Sequence, residues 1–387
     1  MKKKFFALAT AVAMTAALAA CGSSDAPADN AADGAAAFKI GTIGPLTGEN
    51  AIYGQAVANG AKIAVDEINA MGGIQFSLQR EDDVADPETA VNAYHTLLDN
   101  GMQLLVGPTT TGSSLEVASH CYTDRVFMLT PSATSPDVTS GKDNVFQVCF
   151  TDPNQGTSSA EYMAQHMPDA TIGVLYQNDE AYCQGVRDGF AAKAKELGLN
   201  VVYENTFTKD TATNFEVQLH GAQAAGVDLL FMPIYYQHAA IILNQAKALG
   251  YAPTFFGVDG MDGILALPNF DTSLAEGLVL MTPFSADATD DATVNFVTTY
   301  REQFESDPNQ FAADAYDAVY ILKDALEAAG ATPDQTPEEL CDMVKAQLPQ
   351  MSYDGLTGQG LNWSDNGEVS KAPLAMVIQN GVYVPLG

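Results

Sequence analysis

The feature of this sequence that most restricts its fold is a regular alternation of short apolar segments with longer amphipathic ones. Strand-like segments at residues 38–43 and Leu104–Val106 are separated by helical patterns with apolar residues at i, i+3 and i+4. Strands separated by helices of this length are typical of βαβ units and a parallel sheet. After Pro153 the alternation begins again, with strands predicted at residues 172–176 and 229–234. The sequence therefore predicts an α/β fold with two doubly wound, Rossmann-like lobes.

The first 20 residues have the features of a secretory signal peptide. Three lysines at positions 2–4 precede an apolar segment at residues 5–20, which is shorter than the about 20 residues of a membrane span. The Leu-Ala-Ala-Cys sequence that ends at Cys21 resembles the bacterial lipobox, which implies cleavage before Cys21 and acylation of its thiol, for example with palmitate.

Residues 22–37 contain no large apolar side chain, so they cannot form a core. A flexible chain of this length has a root-mean-square reach of about 22 Å. We therefore predict that residues 21–37 form a flexible linker, anchored by a lipid on Cys21. We expect an exported protein held at the outer face of the bacterial cell membrane by its lipid alone.

The charge of the chain argues against nucleic-acid binding. There are 17 Lys+Arg against 48 Asp+Glu, a formal net charge of −31, and no basic cluster follows the three lysines at the start. Such a charge repels phosphate backbones. A hydrophobic content of 47% excludes disorder of the whole chain.

Residues that carry enzymatic chemistry are scattered or missing. No H-E-x-x-H or G-x-S-x-G motif occurs, and the loop at residues 107–113 lacks the lysine of a P-loop. The histidines are too dispersed for a helical metal pair: His95, His120, His166, His220 and His238. The cysteines beyond Cys21 form no C-x-x-C motif, and we expect them unpaired: Cys121, Cys149, Cys183 and Cys341. We therefore expect a non-enzyme without cofactor or metal.

Polar residues instead gather where predicted strands end. The loops at residues 107–113 and 131–134 are rich in hydroxyl groups, and the first of them leads into a helix. Backbone N–H groups at such a position suit a carboxylate. In the second half, predicted strands end at Tyr235 and Asp259. Because open α/β sheets bind ligands at the carboxyl ends of their strands, these residues predict a site for a zwitterion.

Each of these residues also has a purely structural interpretation. Thr110, Thr111 or Ser113 could cap a helix, Tyr235 could be a core aromatic residue, and Asp259 could be a turn residue before glycine. Taken singly, the structural interpretation is favoured. Taken together, four complementary strand ends in two lobes favour a binding site.

The chain resembles periplasmic-type solute-binding proteins of the branched-chain amino acid (Leu/Ile/Val-binding) class, in the lipoprotein form. The resemblance extends from residue 38 to the C-terminus and rests on the segments IGPLTGENAIYGQAVANGAKIAVDEINAMGGI, LLVGPTTTGSSLEVA, MLTPSATSPDVT, VFQVCFTDPNQG, IGVLYQNDEAYCQG, MPIYYQ and FFGVDG. Proteins of this class are receptors of ABC importers.

The resemblance implies roles for five residues of the first lobe. Thr111, with the backbone around Thr110, holds the ligand α-carboxylate. Ser132 and Ala133 contribute main-chain groups. The Thr134 hydroxyl touches both polar ends of the ligand.

The resemblance also implies ligand contacts for three tyrosines and one aspartate. Tyr235 reaches the carboxylate, and Asp259 pairs with the ammonium. Tyr53 and Tyr182 wall the pocket for the ligand side chain.

The family fold implies three chain crossings between the lobes, near Asp152, Pro283 and Asp365. The first lobe would then comprise residues 38–152 with 284–365, and the second residues 153–283 with 366–387. The implied mechanism is hinge closure around the amino acid and recognition of the closed form by the membrane subunits of an ABC permease. We expect a monomer.

Two other functions fit the same sequence features. The protein could bind an amide, a urea or an aromatic acid, as relatives of this fold do, although Asp259 argues against a ligand without a cation. It could also act as a ligand sensor for a signalling partner.

We predict that Cys21 carries the membrane anchor. Replacing Cys21 by Ser should abolish incorporation of labelled fatty acid, measured by metabolic labelling, because serine lacks the thiol that is acylated. Ligand binding by the rest of the chain should be unchanged. Undiminished labelling of the variant would rule out lipidation at this position.

Overall fold

A computed structural model describes residues 36–386 of the chain. The predicted signal peptide, the lipidation site Cys21 and the linker up to residue 35 lie outside these residues. Within residues 36–386, no helix is long and apolar enough to cross a membrane.

The described residues form strands and helices that alternate over most of the chain. The strands are β1 (Phe38–Gly44), β2 (Phe76–Asp82), β3 (Leu104–Val106), β4 (Phe127–Thr130), β5 (Val145–Gln147), β6 (Ile172–Gln177), β7 (Val201–Phe207), β8 (Leu229–Met232), β9 (Thr254–Gly257), β10 (Val279–Thr282), β11 (Leu374–Gln379) and β12 (Val382–Pro385). The α-helices are α1 (Ala51–Met71), α2 (Pro87–Asp99), α3 (Thr111–Asp124), α4 (Asp152–His166), α5 (Ala181–Leu197), α6 (Glu216–Ala224), α7 (Tyr236–Leu249), α8 (Asp291–Phe304), α9 (Gln310–Ala329) and α10 (Pro337–Gln347).

The first sheet contains five parallel strands in the order β2-β1-β3-β4-β5. Strands β3, β4 and β5 are buried along their whole length, as expected for a parallel sheet covered by helices on both faces. Helices α1 and α9 pack on each other, and α10 packs on α9, β3 and β4. We call this sheet and its helices the first lobe.

The second sheet has the order β12-β11-β10-β9-β8-β6-β7. Strands β6 to β10 pair in parallel, whereas β11 and β12 add an antiparallel hairpin next to β10. The hairpin turns at Asn380 and Gly381, both with positive φ, which is the backbone that a two-residue type I′ turn requires. We call this sheet and its helices the second lobe.

Polar residues at helix ends explain several element boundaries. Asp86, Asp290 and Asn309 accept hydrogen bonds from backbone N–H groups in the first turns of α2, α8 and α9. Thr336 and Glu339 form a reciprocal capping box at the start of α10.

The chain passes between the lobes three times. It leaves the first lobe after β5, returns after β10 to form α8, α9 and α10, and enters the second sheet again at β11. Residues just before β11 still contact the first sheet: Trp363 Nε1 donates to the Gln147 carbonyl at 2.7 Å, and the Gly367 carbonyl accepts from Gln147 N–H at 2.9 Å. The lobe boundaries at Asp152, Pro283 and Asp365 stay predictions.

A buried ion pair joins helix α9 of the first lobe to the third passage, and its lysine also contacts the first passage. Lys371 and Asp314 form a salt bridge with side-chain exposures of 1% and 2%. The Lys371 ammonium also donates to the Thr357 hydroxyl at 2.7 Å and to the Val148 carbonyl at 3.3 Å. Burial raises the pKa of Asp314 to about 6, while the Lys371 charge acts against that rise.

The alternation of elements follows the sequence prediction, with differences at the boundaries and in the C-terminal third. Helix α4 begins at Asp152, because Thr151 caps it and proline suits its first turn. Helix α10 and strand β10 are not among the elements that the sequence pattern predicts. The four described cysteines are buried, free thiols.

The ion pair predicts a large loss of stability in a single variant. Lys371→Met should lower the free energy of unfolding by about 3–5 kcal/mol, because it leaves the Asp314 carboxylate buried without its partner. Urea unfolding measures this change. The double variant Lys371→Met with Asp314→Leu is the control, and it should recover most of the loss, since neither charge is then buried. A single variant as stable as the wild type would show that the pair does not hold the passages.

Candidate functional site

One cavity is lined by residues that follow strands of both sheets. Its walls come from the loops after β3 and β4 in the first lobe and after β8 and β9 in the second, with contributions from α1, α5 and α9. Because loops at the carboxyl ends of parallel strands lie along one edge of a sheet, the two lobes present these edges to each other.

The first-lobe loops present hydroxyl groups and a helix N-terminus. Thr110 precedes α3, but its side chain does not cap the helix and instead donates to Ser113 Oγ at 3.2 Å. The first backbone N–H groups of a helix have no partner within the helix, so those of α3 are available to an anion. Thr130 Oγ1 fixes the second loop by accepting from Ala133 N–H at 3.0 Å.

The second lobe contributes a buried carboxyl at Asp259, which is 3% exposed. The Tyr182 hydroxyl donates to Asp259 Oδ1 at 2.6 Å and accepts from Gly260 N–H at 2.9 Å. The Asp259 backbone is held as well, because its N–H donates to Gln155 Oε1 at 3.2 Å and its carbonyl accepts from Gln310 Nε2 at 3.3 Å. Burial raises the pKa of Asp259 to about 7, against the lowering effect of the Tyr182 hydrogen bond.

Carboxyl groups surround this part of the site. Asp152 is fully buried at the start of α4, beside the Thr134 hydroxyl, which lowers the pKa of its carboxyl less than burial raises it. Burial, with the nearby charges of Asp259 and Glu180, raises the pKa of Asp152 well above its usual value. The Gln155 side chain likewise interacts with Asp259 and lowers the pKa of that carboxyl, against the effect of burial. This part of the interior therefore holds carboxyl groups whose protonated form is favoured by burial.

Aromatic rings form the rest of the wall. Tyr182 and Tyr235 stack with centroids 5.1 Å apart, and Tyr53 lies 5.5 Å from Tyr235 and 4.9 Å from Phe311. The Tyr53 hydroxyl crosses between the lobes, since it donates to the Gly260 carbonyl and accepts from the backbone N–H of Tyr236 at 3.3 Å.

The cavity between these groups has a volume of about 20 Å³. That is room for about one water molecule. The described arrangement is therefore a closed one, and a ligand of several heavy atoms enters only if the lobes separate or the aromatic rings move.

The structure brings eight of the nine predicted site residues to this cavity: Tyr53, Thr110, Thr111, Ser132, Thr134, Tyr182, Tyr235 and Asp259. Ala133 lies behind its wall, where its carbonyl accepts from Gln147 Nε2 at 2.7 Å. The roles of these residues toward a ligand stay predictions.

Sequence reasoning missed three residues that line the same cavity: Thr109, Gly260 and Phe311. Thr109 and Gly260 adjoin predicted site residues, so proximity in the chain was a usable signal. Phe311 is the first apolar residue of α9. Nothing in the local pattern showed that this helix begins at the cleft.

Within residues 36–386, no cluster of three or more histidine, cysteine, aspartate or glutamate side chains could hold a metal ion.

Comparison with known proteins identifies the family. The model of the periplasmic binding protein family matches residues 37–381. The Leu/Ile/Val-binding protein BraC3 of Rhizobium johnstonii is 30% identical over 300 residues, which cover 76% of this chain and 80% of that protein.

Solved structures agree with this relation. The branched-chain amino acid transporter substrate-binding protein LivJ of Streptococcus pneumoniae, in complex with isoleucine, superposes with a TM-score of 0.80 and 27% identity, covering 90% of this chain and 97% of that one. An ABC transporter solute-binding protein of R. palustris in complex with benzoate superposes with a TM-score of 0.81 at 19% identity, over 91% and 96% of the two chains, and shows a shared fold alone.

The family match covers most of the chain, and the architecture is that of its solved relatives: an α/β protein with two Rossmann-like lobes, linked by three chain segments, and a cleft between the lobes. The chain is a member of the periplasmic binding protein family, with the type I fold.

Proposed function

We propose that this protein is the extracytoplasmic substrate-binding lipoprotein of an ABC importer, which captures a free amino acid by hinge closure and delivers it to the permease. The observation that carries the proposal is the buried Asp259 carboxyl, which shares one cleft with the open N-terminus of α3 and the hydroxyl loops of the other lobe.

The first-lobe side of the cleft suits the α-carboxylate of an amino acid. The N–H groups at the start of α3 are donors with a favourable dipole, and Thr111 and Ser132 add hydroxyl groups. Among the residues that the structure describes, no lysine or arginine lines the cavity, which favours a carboxylate over the doubly charged phosphate group.

The second-lobe side suits the ammonium group. Asp259 is oriented by Tyr182 and has no cationic side chain among the lining residues. A carboxylate buried in this way is stabilised when a cation arrives.

The aromatic wall supports an apolar ligand side chain. Tyr53, Tyr235 and Phe311 bring ring surfaces together in the cavity wall. The relatives named Leu/Ile/Val-binding proteins support a branched-chain or other aliphatic amino acid.

A second candidate is an aromatic acid, since the benzoate-binding protein of R. palustris shares this fold. Its carboxylate would fit the first-lobe loops and its ring the tyrosines. Such a ligand leaves Asp259 without a cation, and for that reason we favour the amino acid.

A thermal-shift screen tests the proposed function. The purified protein is heated with each of the common amino acids, with benzoate and with 4-methylpentanoate, which is leucine without its amino group. A ligand at a thousand times its dissociation constant stabilises by about 4 kcal/mol, so a true ligand raises the melting temperature clearly. Stabilisation by aliphatic amino acids but not by the two acids supports the proposal. Stabilisation by benzoate alone would replace it with the second candidate.

Asp259→Asn should weaken amino-acid binding by at least about twentyfold in calorimetry. Removing one member of a buried ion pair costs about 2–5 kcal/mol, and each 1.4 kcal/mol is tenfold in affinity. The matched control is Asp262→Asn, which removes an equally buried carboxyl three residues away that does not line this cavity. The wild type should reject 4-methylpentanoate strongly and the Asp259 variant much less. Equal discrimination by both proteins would show that Asp259 does not contact the ammonium.

We also predict that Asp259→Asn makes the unliganded protein more stable relative to the wild type as the pH rises. The pKa of Asp259 is raised in the folded state, so the folded protein binds a proton that the unfolded chain has released between about pH 4 and pH 7. The wild type loses stability over that range, by up to about 1.4 kcal/mol per pH unit, and Asp259→Asn does not. Urea unfolding at pH 5 and at pH 8 measures the free energy of unfolding of both proteins. Between these two pH values, that of the variant should rise relative to that of the wild type by about 2 kcal/mol. A difference independent of pH would mean that Asp259 is solvated in the unliganded protein.

A further inference from the structure

One buried carboxyl of the first lobe lies close to the cleft without lining it. Asp83 directly follows β2 and is 0% exposed, and it is not among the residues that line the cleft cavity. Its backbone N–H donates to the Gly44 carbonyl at 3.2 Å, and its Oδ1 accepts from Ala85 N–H at 2.9 Å. Buried polar atoms generally have a partner, so Oδ2 needs one among the surrounding side chains.

The loop that carries this carboxyl has a fixed and unusual backbone. Val84 and Ala85 follow each other with φ of 47° and 57°, in the left-handed region that residues other than glycine rarely adopt. Val84 N–H donates to Asp82 Oδ1 at 2.9 Å, just as Ala85 N–H donates to Asp83. Such conformations persist where neighbouring contacts impose them, often beside functional sites. The Asp83 side chain is therefore held in one place.

Two hydroxyl groups connect Asp83 to the cleft. The Ser113 side chain, 0% exposed in the first turn of α3, interacts with the Asp83 carboxyl. Ser113 Oγ accepts from Thr110 Oγ1 at 3.2 Å, and Thr110 lines the cleft cavity. A threonine before a helix ordinarily accepts from a backbone N–H of the first turn, and here the bond to Ser113 takes the place of that cap. We call Asp83, Ser113 and Thr110 the hydroxyl row.

The charge of Asp83 sets the direction of the hydrogen bonds in the hydroxyl row. A carboxylate only accepts, a carboxylic acid also donates, and each hydroxyl has one proton to give. While Asp83 is ionised, Ser113 donates to it and Thr110 donates to Ser113, so Thr110 has no proton for the cleft. Once Asp83 is protonated, it donates to Ser113, Ser113 donates to Thr110, and the Thr110 proton is free for an acceptor in the cleft.

The surroundings of Asp83 favour its protonated form. Burial raises the pKa of Asp83 to about 6, and the neighbouring charge of Asp82 acts in the same direction. Other charged groups of this region lie in the first turns of α2 and α3, in the cap of α2 and, from the second lobe, just after β7: Glu88, Glu116, Asp86 and Lys209. The group is thus poised to gain or lose its proton near neutral pH.

We propose that Asp83 is a positioning residue for the carboxylate of the ligand, because through Ser113 it decides whether the Thr110 hydroxyl donates into the cleft. This inference rests on the proposed function, in which the ligand carboxylate meets the loop after β3. A carboxylate accepts hydrogen bonds and cannot donate them, so it binds more tightly when Thr110 offers its proton. A molecule with ionised Asp83 then takes up one proton from the solvent as it binds its ligand.

Calorimetric titration with leucine at pH 5 and at pH 8 tests the proposal on the wild type and on Asp83→Asn. Asparagine keeps the oxygen that accepts from Ala85 and places N–H donors where Oδ2 stands, so it holds the hydroxyl row in the protonated direction at every pH. The two proteins should bind leucine equally at pH 5. At pH 8 the variant should bind at least about threefold more tightly, since a ligand-linked rise of one pKa unit corresponds to tenfold in affinity. Asp259 titrates in both proteins, so its effect cancels in the comparison.

Two further variants separate the hydroxyl row from a direct effect of charge. Ser113→Ala interrupts the row, so adding Asp83→Asn to it should change the affinity at pH 8 less than twofold. A gain that persists without Ser113 would show that the Asp83 charge acts on the ligand directly, and would overturn the proposal. Glu88→Gln is the control, because it removes an exposed carboxylate of the neighbouring helix and should leave the affinity unchanged at both pH values.

The outcomes distinguish this inference from the proposed function. If leucine binds and Asp83→Asn binds it equally or more weakly at pH 8, Asp83 is structural and the amino-acid proposal stands. If benzoate binds in place of leucine and Asp83→Asn binds it more tightly at pH 8, the positioning role stands and the amino-acid proposal falls. A protein that binds neither compound at either pH overturns both.

Discussion

The parallel arrangement of strands is the constraint on which the rest of this molecule depends. A parallel strand is followed by a helix that returns to the opposite edge of the sheet, so the loops that leave the strands meet along one edge. In this chain two such edges face each other, and the groups at them are complementary: donors from the start of α3 on one side, the carboxyl of Asp259 on the other. Neither edge alone surrounds a ligand.

The cleft holds its carboxyl in an unfavourable state before any ligand is present. Asp259 is buried and has no positive side chain among the lining residues, and the hydrogen bond from Tyr182 offsets only part of the lost hydration. Asp152 is in a similar position at the start of α4. The cleft is thus locally destabilised, and buried contacts elsewhere, including the Lys371–Asp314 pair, stabilise the fold.

Local sequence patterns predict the strands and helices of the two lobes better than they predict the contacts between segments that are distant in the chain. The β3–α3 loop and the end of β9 could be located because, in each case, polar residues directly follow an apolar strand in the chain. Phe311 could not, since it joins the cleft through a segment far away in sequence. Helix α10 begins at the capping box of Thr336 and Glu339, which lies outside the segments that the sequence pattern predicts as helices.

The small volume of the closed cleft has a kinetic consequence. A ligand cannot enter a space of about 20 Å³, so each encounter must find the cleft opened, by separation of the lobes or movement of the rings, and the observed association rate is the encounter rate multiplied by the fraction of open molecules. The Tyr53 hydroxyl, bound to Gly260 and Tyr236 of the opposite lobe, lowers that fraction in the unliganded protein. If the protein binds a solute as proposed, it responds slowly to a sudden rise in that solute, and its apparent affinity is lower than the contacts alone provide.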